Sequence, residues 1–109
     1  MKRSRTLITI SSLKKAVKSY TFHSILKEIQ KILSYQFSLK ESEIEPEAKF
    51  ELELGADSRD LLEIMSKIEE TFNIEIAYED VYEILTVKDA VIYIFNKKRL
   101  PDKRYLNFK

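Results

Sequence analysis

The chain has 109 residues, 44% of them hydrophobic, with one Gly, two Pro, one His and no Cys. That is the length of a single domain. The lack of Cys excludes disulfides, Cys nucleophiles and Cys/His zinc sites, and the scarcity of turn residues argues against a β-sandwich or barrel. The net charge of +1 hides a segregation: residues 1–27 carry seven bases and no acid, residues 28–96 carry 17 acids against six bases, and residues 97–109 carry six bases and one acid. An acidic body repels nucleic acid and attracts basic partners. No apolar run reaches the 18 residues of a transmembrane helix.

Residues 1–24 hold Ser4, Thr6, Thr9, Ser11, Ser12, Ser19, Thr21 and Ser24 among their bases. Acid-poor, Ser-rich and basic is the composition of an organellar transit peptide; a basic tail without a fixed structure is the alternative reading. Leu7-Ile8 with Ile10 is too short for the apolar core of a secretory signal. The chain divides into a basic segment 1–20, a domain 21–99 and a basic tail 100–109, where Tyr105 and Phe108 accompany the charges.

The spacing of Phe22, Ile25, Leu26, Ile29, Ile32 and Leu33 predicts an amphipathic helix over about 21–36. Ser38–Glu53 has scattered acids, Pro46 and weak periodicity, and reads as a long loop anchored by Ile44 and Phe50. Gly55-Ala56-Asp57-Ser58 interrupts the pattern, and either Asp57 or Ser58 can N-cap a second helix running to about Thr71. Leu61, Leu62, Met65, Ile68 and Phe72 form its predicted inner stripe, with Asn73 as its stop. Glu79–Leu85 reads as a short third helix. Thr86 caps a fourth, whose inner face is Val87, Ala90, Val91, Ile94 and Phe95. Lys97-Lys98-Arg99 close its last turn, matched to the helix dipole, and Leu100-Pro101 stops it. The expected fold is all-α: four helices, three long and one short, with a long loop after the first.

Leu54-Gly55-Ala56-Asp57-Ser58-Arg59-Asp60 is the segment that carries chemistry. It sets a Ser hydroxyl at a helix N-terminus, where backbone N–H groups stabilise an anion. A phosphodiester on Ser58 sits in a favourable field there. Asp57 and Asp60 frame it with carboxylates able to hold a cation or a basic partner, although the spacing does not fit a Ca²⁺ loop. The single Gly rules out a Gly-rich phosphate loop. His23 lies in a basic, Ser-rich stretch and offers Ser58 no catalytic base, so a hydrolase is disfavoured.

From Phe50 to Ile94 the sequence resembles the acyl carrier protein family. Phe50, Leu54-Gly55-Ala56-Asp57-Ser58, Asp60, Glu63, Glu69-Glu70 and Phe72 fall in step with the family pattern. The match continues through Glu75-Ile76, Glu79-Asp80, Ile84, Thr86-Val87 and Ile92-Tyr93-Ile94. The resemblance implies a non-catalytic carrier with an acyl-carrier-like four-helix bundle. It implies a 4′-phosphopantetheine arm on Ser58, flanked by Asp57 and Arg59, whose thiol holds the acyl chain as a thioester. The missing Cys is compatible with an imported sulfur. It implies an acyl cavity lined by Phe50, Leu54, Leu62, Met65, Ile68, Ile76, Ile84 and Leu85, most of which read at least as well as ordinary core. It implies that Asp60, Glu63, Glu69, Glu70, Glu75 and Glu79 meet basic surfaces of fatty acid synthesis enzymes; a merely solvated face is the alternative.

With the basic N-terminus, the resemblance is to a mitochondrial-type carrier. Such members also serve as structural subunits of larger assemblies, respiratory NADH dehydrogenase foremost. They bind helical Leu-Tyr-Arg motif proteins in iron–sulfur cluster and mitochondrial ribosome assembly. A plastid-type carrier is the alternative address. Two positions depart from the family: Arg59 stands where Leu is usual, and Ala77-Tyr78 stand where Pro and an acid are usual. Arg59 is a candidate partner for Asp60, for Glu63 or for the arm's phosphate.

Overall fold

The computed structural model describes residues 20–99. The two basic ends, with the transit-peptide reading of the first, lie outside the described residues, except that Tyr20 packs its ring on Phe72 with centroids 5.6 Å apart and so joins the body.

Among the described residues, four helices form from local signals. Helix α1, Phe22–Phe37, opens on a reciprocal cap: the Ser24 N–H donates to Thr21 Oγ1 at 3.0 Å and the Thr21 N–H to Ser24 Oγ at 2.9 Å. It ends at Ser38, which takes the left-handed conformation at φ 56°. Helix α2, Ser58–Phe72, is capped by Asp57 and stopped by Asn73 at φ 55°. Helix α3, Tyr78–Val81, is a single turn with no buried residue. Helix α4, Val87–Arg99, begins with Thr86 and Asp89 exchanging backbone bonds, Asp89 N–H to Thr86 Oγ1 at 3.0 Å and Thr86 N–H to Asp89 Oδ2 at 3.1 Å. A cap of this kind stabilises a helix by about 1 kcal/mol.

Helix α1 packs against both α2 and α4. Ile25, Ile29 and Leu33 of α1 are fully buried, with Ile64 and Ile68 of α2, Val87, Val91 and Ile94 of α4, and Ile44, Phe50 and Phe72. Each such side chain contributes about 1.5–3 kcal/mol of transfer free energy. No side chain with a buried polar atom lacks a hydrogen bond among the described residues. Lys98 donates to the Phe72 carbonyl at 3.0 Å, placing a cation on the C-terminal end of α2 while its charge also lies over the Tyr20 ring.

The loop between α1 and α2 is structured. It contains a 3₁₀ turn, Glu41–Glu43, and is tied to α1 by Gln30 Nε2 donating to the Ile44 carbonyl at 2.8 Å. It is also stitched to the start of α4. The Phe50 N–H donates to the Leu85 carbonyl, the Val87 N–H to Ala48 and the Lys88 N–H to Pro46, at 3.0, 3.0 and 2.8 Å. Lys49 and Thr86 form an antiparallel bridge there.

Two details differ from the periodicity reading. The third helix is one turn rather than Glu79–Leu85, because Ile84 must turn into the core and the Leu85 carbonyl is needed by Phe50. The inner stripe of α2 is Leu61, Ile64, Met65, Ile68 and Phe72, not one through Leu62. Leu62 is 55% exposed, because a position one residue round from Leu61 turns about 100° off the buried face.

Candidate functional site

The site is built at the N-terminus of α2. Gly55 adopts φ 69°, a left-handed conformation that disfavours any side chain, and nothing lies within 4 Å of where its Cβ would be. The turn closes through the Ala56 N–H donating to the Phe50 carbonyl at 2.8 Å. Asp57, not Ser58, is the N-cap. Its Oδ1 accepts from the Asp60 N–H at 2.8 Å, and the Asp57 N–H returns a bond to Asp60 Oδ2 at 3.1 Å. The bond from the Asp60 N–H is the main reason the Asp57 carboxyl lies below its ordinary range; the Asp60 side chain and the charge of Arg59 add to it.

The first intrahelical bond of α2 is from the Leu61 N–H to the Asp57 carbonyl. The Asp57 carboxyl draws on the Arg59 N–H as well as the Asp60 N–H, so the Ser58 N–H remains as a helix-end donor. Ser58 is exposed, and among the described residues its hydroxyl makes no hydrogen bond. A phosphodiester attached there meets the Ser58 N–H and the positive end of a 15-residue helix. The residues present therefore fit such a group.

Ser58 also stands at the mouth of a cavity of about 380 Å³. One wall is the loop, Lys49, Phe50, Glu51 and Leu52. A second is the start of α2, Leu61 and Leu62. The third is α3 and the residues after it, Tyr78, Val81, Tyr82, Ile84 and Leu85. Its rim is apolar and open: Leu52, Leu62 and Leu85 are 75%, 55% and 60% exposed. Tyr78 and Tyr82 stack edge to face on it, their hydroxyls 3.2 Å apart.

Of the eight residues expected around an acyl chain, Phe50, Leu62, Ile84 and Leu85 line this cavity. The other four do not. Met65 and Ile68 are buried further along α2 in the core, and Leu54 packs against that core from the turn. Ile76 faces a separate groove with Glu69, Glu75 and Lys97. Periodicity marks which residues point inward but not which inward space is left empty. Leu61, Leu52, Val81, Tyr78 and Tyr82 were missed for the same reason. Tyr78 and Tyr82, four apart around the short third helix, were the one available signal.

The acids are not alike. Asp60 is held in the capping box and also accepts from Gln36 Nε2 at 3.2 Å. Glu69 accepts from the Ile76 N–H at 2.8 Å and fixes the entry to α3. Glu63 is exposed and takes the same Gln36 amide at 2.9 Å. Glu70 is exposed in a loose 3.8 Å pair with Lys67, and Glu75 and Glu79 are exposed. His23 lies in the first turn of α1, whereas Gln36 near its other end touches α2 beside Ser58. The two ends of α1 are about 20 Å apart, so His23 is no base for Ser58.

Comparison with known proteins gives one answer. Residues 25–94 match the family described as "Phosphopantetheine attachment site". Acyl carrier proteins of Nitratidesulfovibrio vulgaris are similar: that of strain DP4 is 43% identical over 75 residues, 69% of this chain and 99% of the relative. That of strain Miyazaki F is 45% identical over the same extent. The solved structure of the acyl carrier protein from Enterococcus faecalis, described in a study of its thermal stability, superposes with a TM-score of 0.62 at 31% identity. That superposition covers 71% of this chain and 98% of the other. With Ser58 exposed on the helix end that the motif predicts, the chain belongs to the acyl carrier protein family, a non-catalytic carrier whose cofactor is phosphopantetheine.

Proposed function

We propose that Ser58 carries the 4′-phosphopantetheine arm and that the cavity beside it receives the acyl chain held on that arm, in the service of fatty acid synthesis. The observation that carries this is the exposed Ser58 hydroxyl at a helix N-terminus on the rim of an apolar cavity. When bound, the arm supplies a thiol that holds the acyl group as a thioester. The protein's own part is to bind and shield. The α2 N-terminus neutralises the phosphodiester, and Phe50, Leu61, Leu62, Val81 and Ile84 offer the chain an apolar wall. Each buried methylene contributes about 0.8 kcal/mol. The exposed Glu63, Glu70 and Glu79 supply an acidic face for basic enzyme surfaces, which governs encounter rate more than affinity.

The finer reading is a mitochondrial carrier that is also a subunit of a larger assembly, respiratory NADH dehydrogenase or a complex with a Leu-Tyr-Arg motif protein. It is supported by the acid-free, Ser-rich, basic composition of residues 1–19. A plastid address is the second possibility that this composition allows. The relatives named above are bacterial.

The test is the intact mass of protein purified from its native source. It should exceed the chain mass by one phosphopantetheine group, with or without an acyl chain, and Ser58→Ala should remove the increment. A homogeneous unmodified chain refutes the attachment. The same mass measurement shows whether the N-terminal segment has been cleaved, and import into isolated mitochondria of the full chain against one lacking residues 1–19 tests the address.

A further inference from the structure

We propose that residues 1–19 of this same chain cover the mouth of the cavity beside Ser58 and yield it to the acyl chain; the second step rests on the reading of that cavity as the acyl site. Eight large apolar side chains are exposed among the described residues, and five of them, Leu52, Leu62, Tyr78, Tyr82 and Leu85, ring this one mouth. Apolar patches gathered in this way mark surfaces that something covers. The border is acidic. Glu51 is part of the lining, and Glu53, Glu79 and Glu83 are exposed chain neighbours of Leu52, Tyr78 and Tyr82. Lys49 is the one base in the lining. Such a mouth fits an apolar segment that carries bases and no acids.

The chain supplies that segment. Residues 1–19 lie outside the described residues; their sequence holds Leu7, Ile8, Ile10, Leu13 and Val17 among six bases and no acid. Their point of attachment is fixed: Tyr20 packs its ring on Phe72, with the Lys98 ammonium over it, at the C-terminal end of α2. The mouth is at the other end of that helix, where Leu62 and Ser58 lie about 15 and 21 Å from Phe72 along the axis. An extended chain gains about 3.3–3.6 Å per residue, so Leu13 reaches about 23–25 Å from Tyr20, and Ile10, Ile8 and Leu7 arrive with slack. Val17, at about 10 Å, does not reach. A tethered segment binds intramolecularly, at an effective concentration set by its tether. Its bases steer it to the acidic border, and its apolar residues fill the mouth. An acyl chain tethered at Ser58 competes for the same apolar wall, so a loaded carrier releases its own N-terminal segment.

The chain has no Cys, so Ser11→Cys takes a nitroxide label at a single place in the full chain. In the apo form, the label should broaden the amide signals of Leu52, Leu62 and Leu85 and leave that of Ile92, exposed on α4 outside the lining, sharp. Leu7→Ser, Ile8→Ser, Ile10→Ser and Leu13→Ser introduced together should abolish the broadening. High salt should not, because it screens the steering and spares the apolar contact. Acylation of the arm should relieve it. Signals at the mouth that stay sharp, broadening spread evenly over the acidic surface, broadening lost in high salt, or broadening untouched by the four Ser replacements each overturn the cover. Broadening that requires mixing labelled chain with unlabelled ¹⁵N chain assigns the mouth to a second copy and likewise overturns it. Broadening that persists after acylation overturns the release. A chain that never gains the mass of the arm refutes attachment at Ser58, and not the cover, which is measured in the apo form.

Discussion

Ile64 and Leu62 are two apolar residues of α2 that differ in burial, at 0% and 55% exposure, and truncating each separates the work of the core from that of the cavity. Ile64→Ala deletes three carbons from a fully packed site. The transfer loss is about 2.4 kcal/mol, and the void left behind raises the total to about 3–4 kcal/mol. Leu62→Ala deletes three carbons of which half the surface already meets water, so the loss in the apo protein is about 1 kcal/mol. A domain of this size loses about 4–8 °C of Tm per kcal/mol. The first variant should therefore melt about 12–32 °C lower and the second about 4–8 °C lower. The increment from an acyl chain in the cavity has the opposite sensitivity, because Leu62 forms part of the cavity wall and Ile64 does not. Acylation should raise the Tm of wild type and Ile64→Ala by similar amounts, and that of Leu62→Ala by less. Thermal and urea unfolding of apo, holo and acylated forms provide the measurement, with an unchanged urea slope showing that both variants unfold as the wild type does. Equal losses in the two apo variants, or an acyl increment untouched by Leu62→Ala, would refute the assignment of the cavity.

Burial, and then the 2.7 Å bond to Asp80, push the Tyr93 hydroxyl up to about 12 from an ordinary 10. The folded state favours the neutral phenol, so this contribution to stability is complete below pH 10 and is lost as pH rises toward 12; in Tyr93→Phe, urea midpoints measured across that window should fall less steeply than in the wild type. Reversing Glu63 and Glu70 to Lys should slow association with a basic partner enzyme and flatten its salt dependence in stopped-flow mixing. Rates at low salt that match the wild type would mean the acids are only solvated. Asp60 and Glu69 are unsuited to that experiment: Glu69→Ala strips the Ile76 N–H of its acceptor, at a cost of about 1–3 kcal/mol, and confounds docking with folding.

The helix starts were legible because their signals are local. Thr21, Asp57 and Thr86 each precede an acceptor or donor three residues on, and a reciprocal cap needs no tertiary information. Asn73 as the stop of α2 is of the same kind. The attachment residue was legible because the motif places a hydroxyl at such a start. What periodicity could not give is how far a helix is rotated about its axis. Leu62 and Ile64 are two residues apart and equally apolar, and only packing against α1 and the core decides which is buried. The roles of the acids were hidden for a related reason. Glu69 and Glu70 are neighbours of identical chemistry, yet one holds a backbone N–H seven residues on and the other faces solvent.

The stitching of the loop to the start of α4 gives the cavity two walls of unequal strength. On the side of Phe50 the wall is fastened by backbone bonds, to Leu85, to Val87 and to Lys88, and these part only if the loop leaves the core together with Phe50 and Ile44. On the opposite side α3 is one turn long, buries no residue completely, and is held by side-chain bonds, Tyr93 with Asp80 and Ala77, and Glu69 with Ile76, and by the half-buried Val81. Breaking one of those leaves the core unchanged. A guest entering on the side of α3 would displace a single turn of helix, whereas entry past Phe50 would part the loop from the core. In hydrogen exchange, the amides of Phe50 and Val87 should open with the whole domain, and those of Glu83 and Ile84, bonded only within the turn after α3, should open far more often.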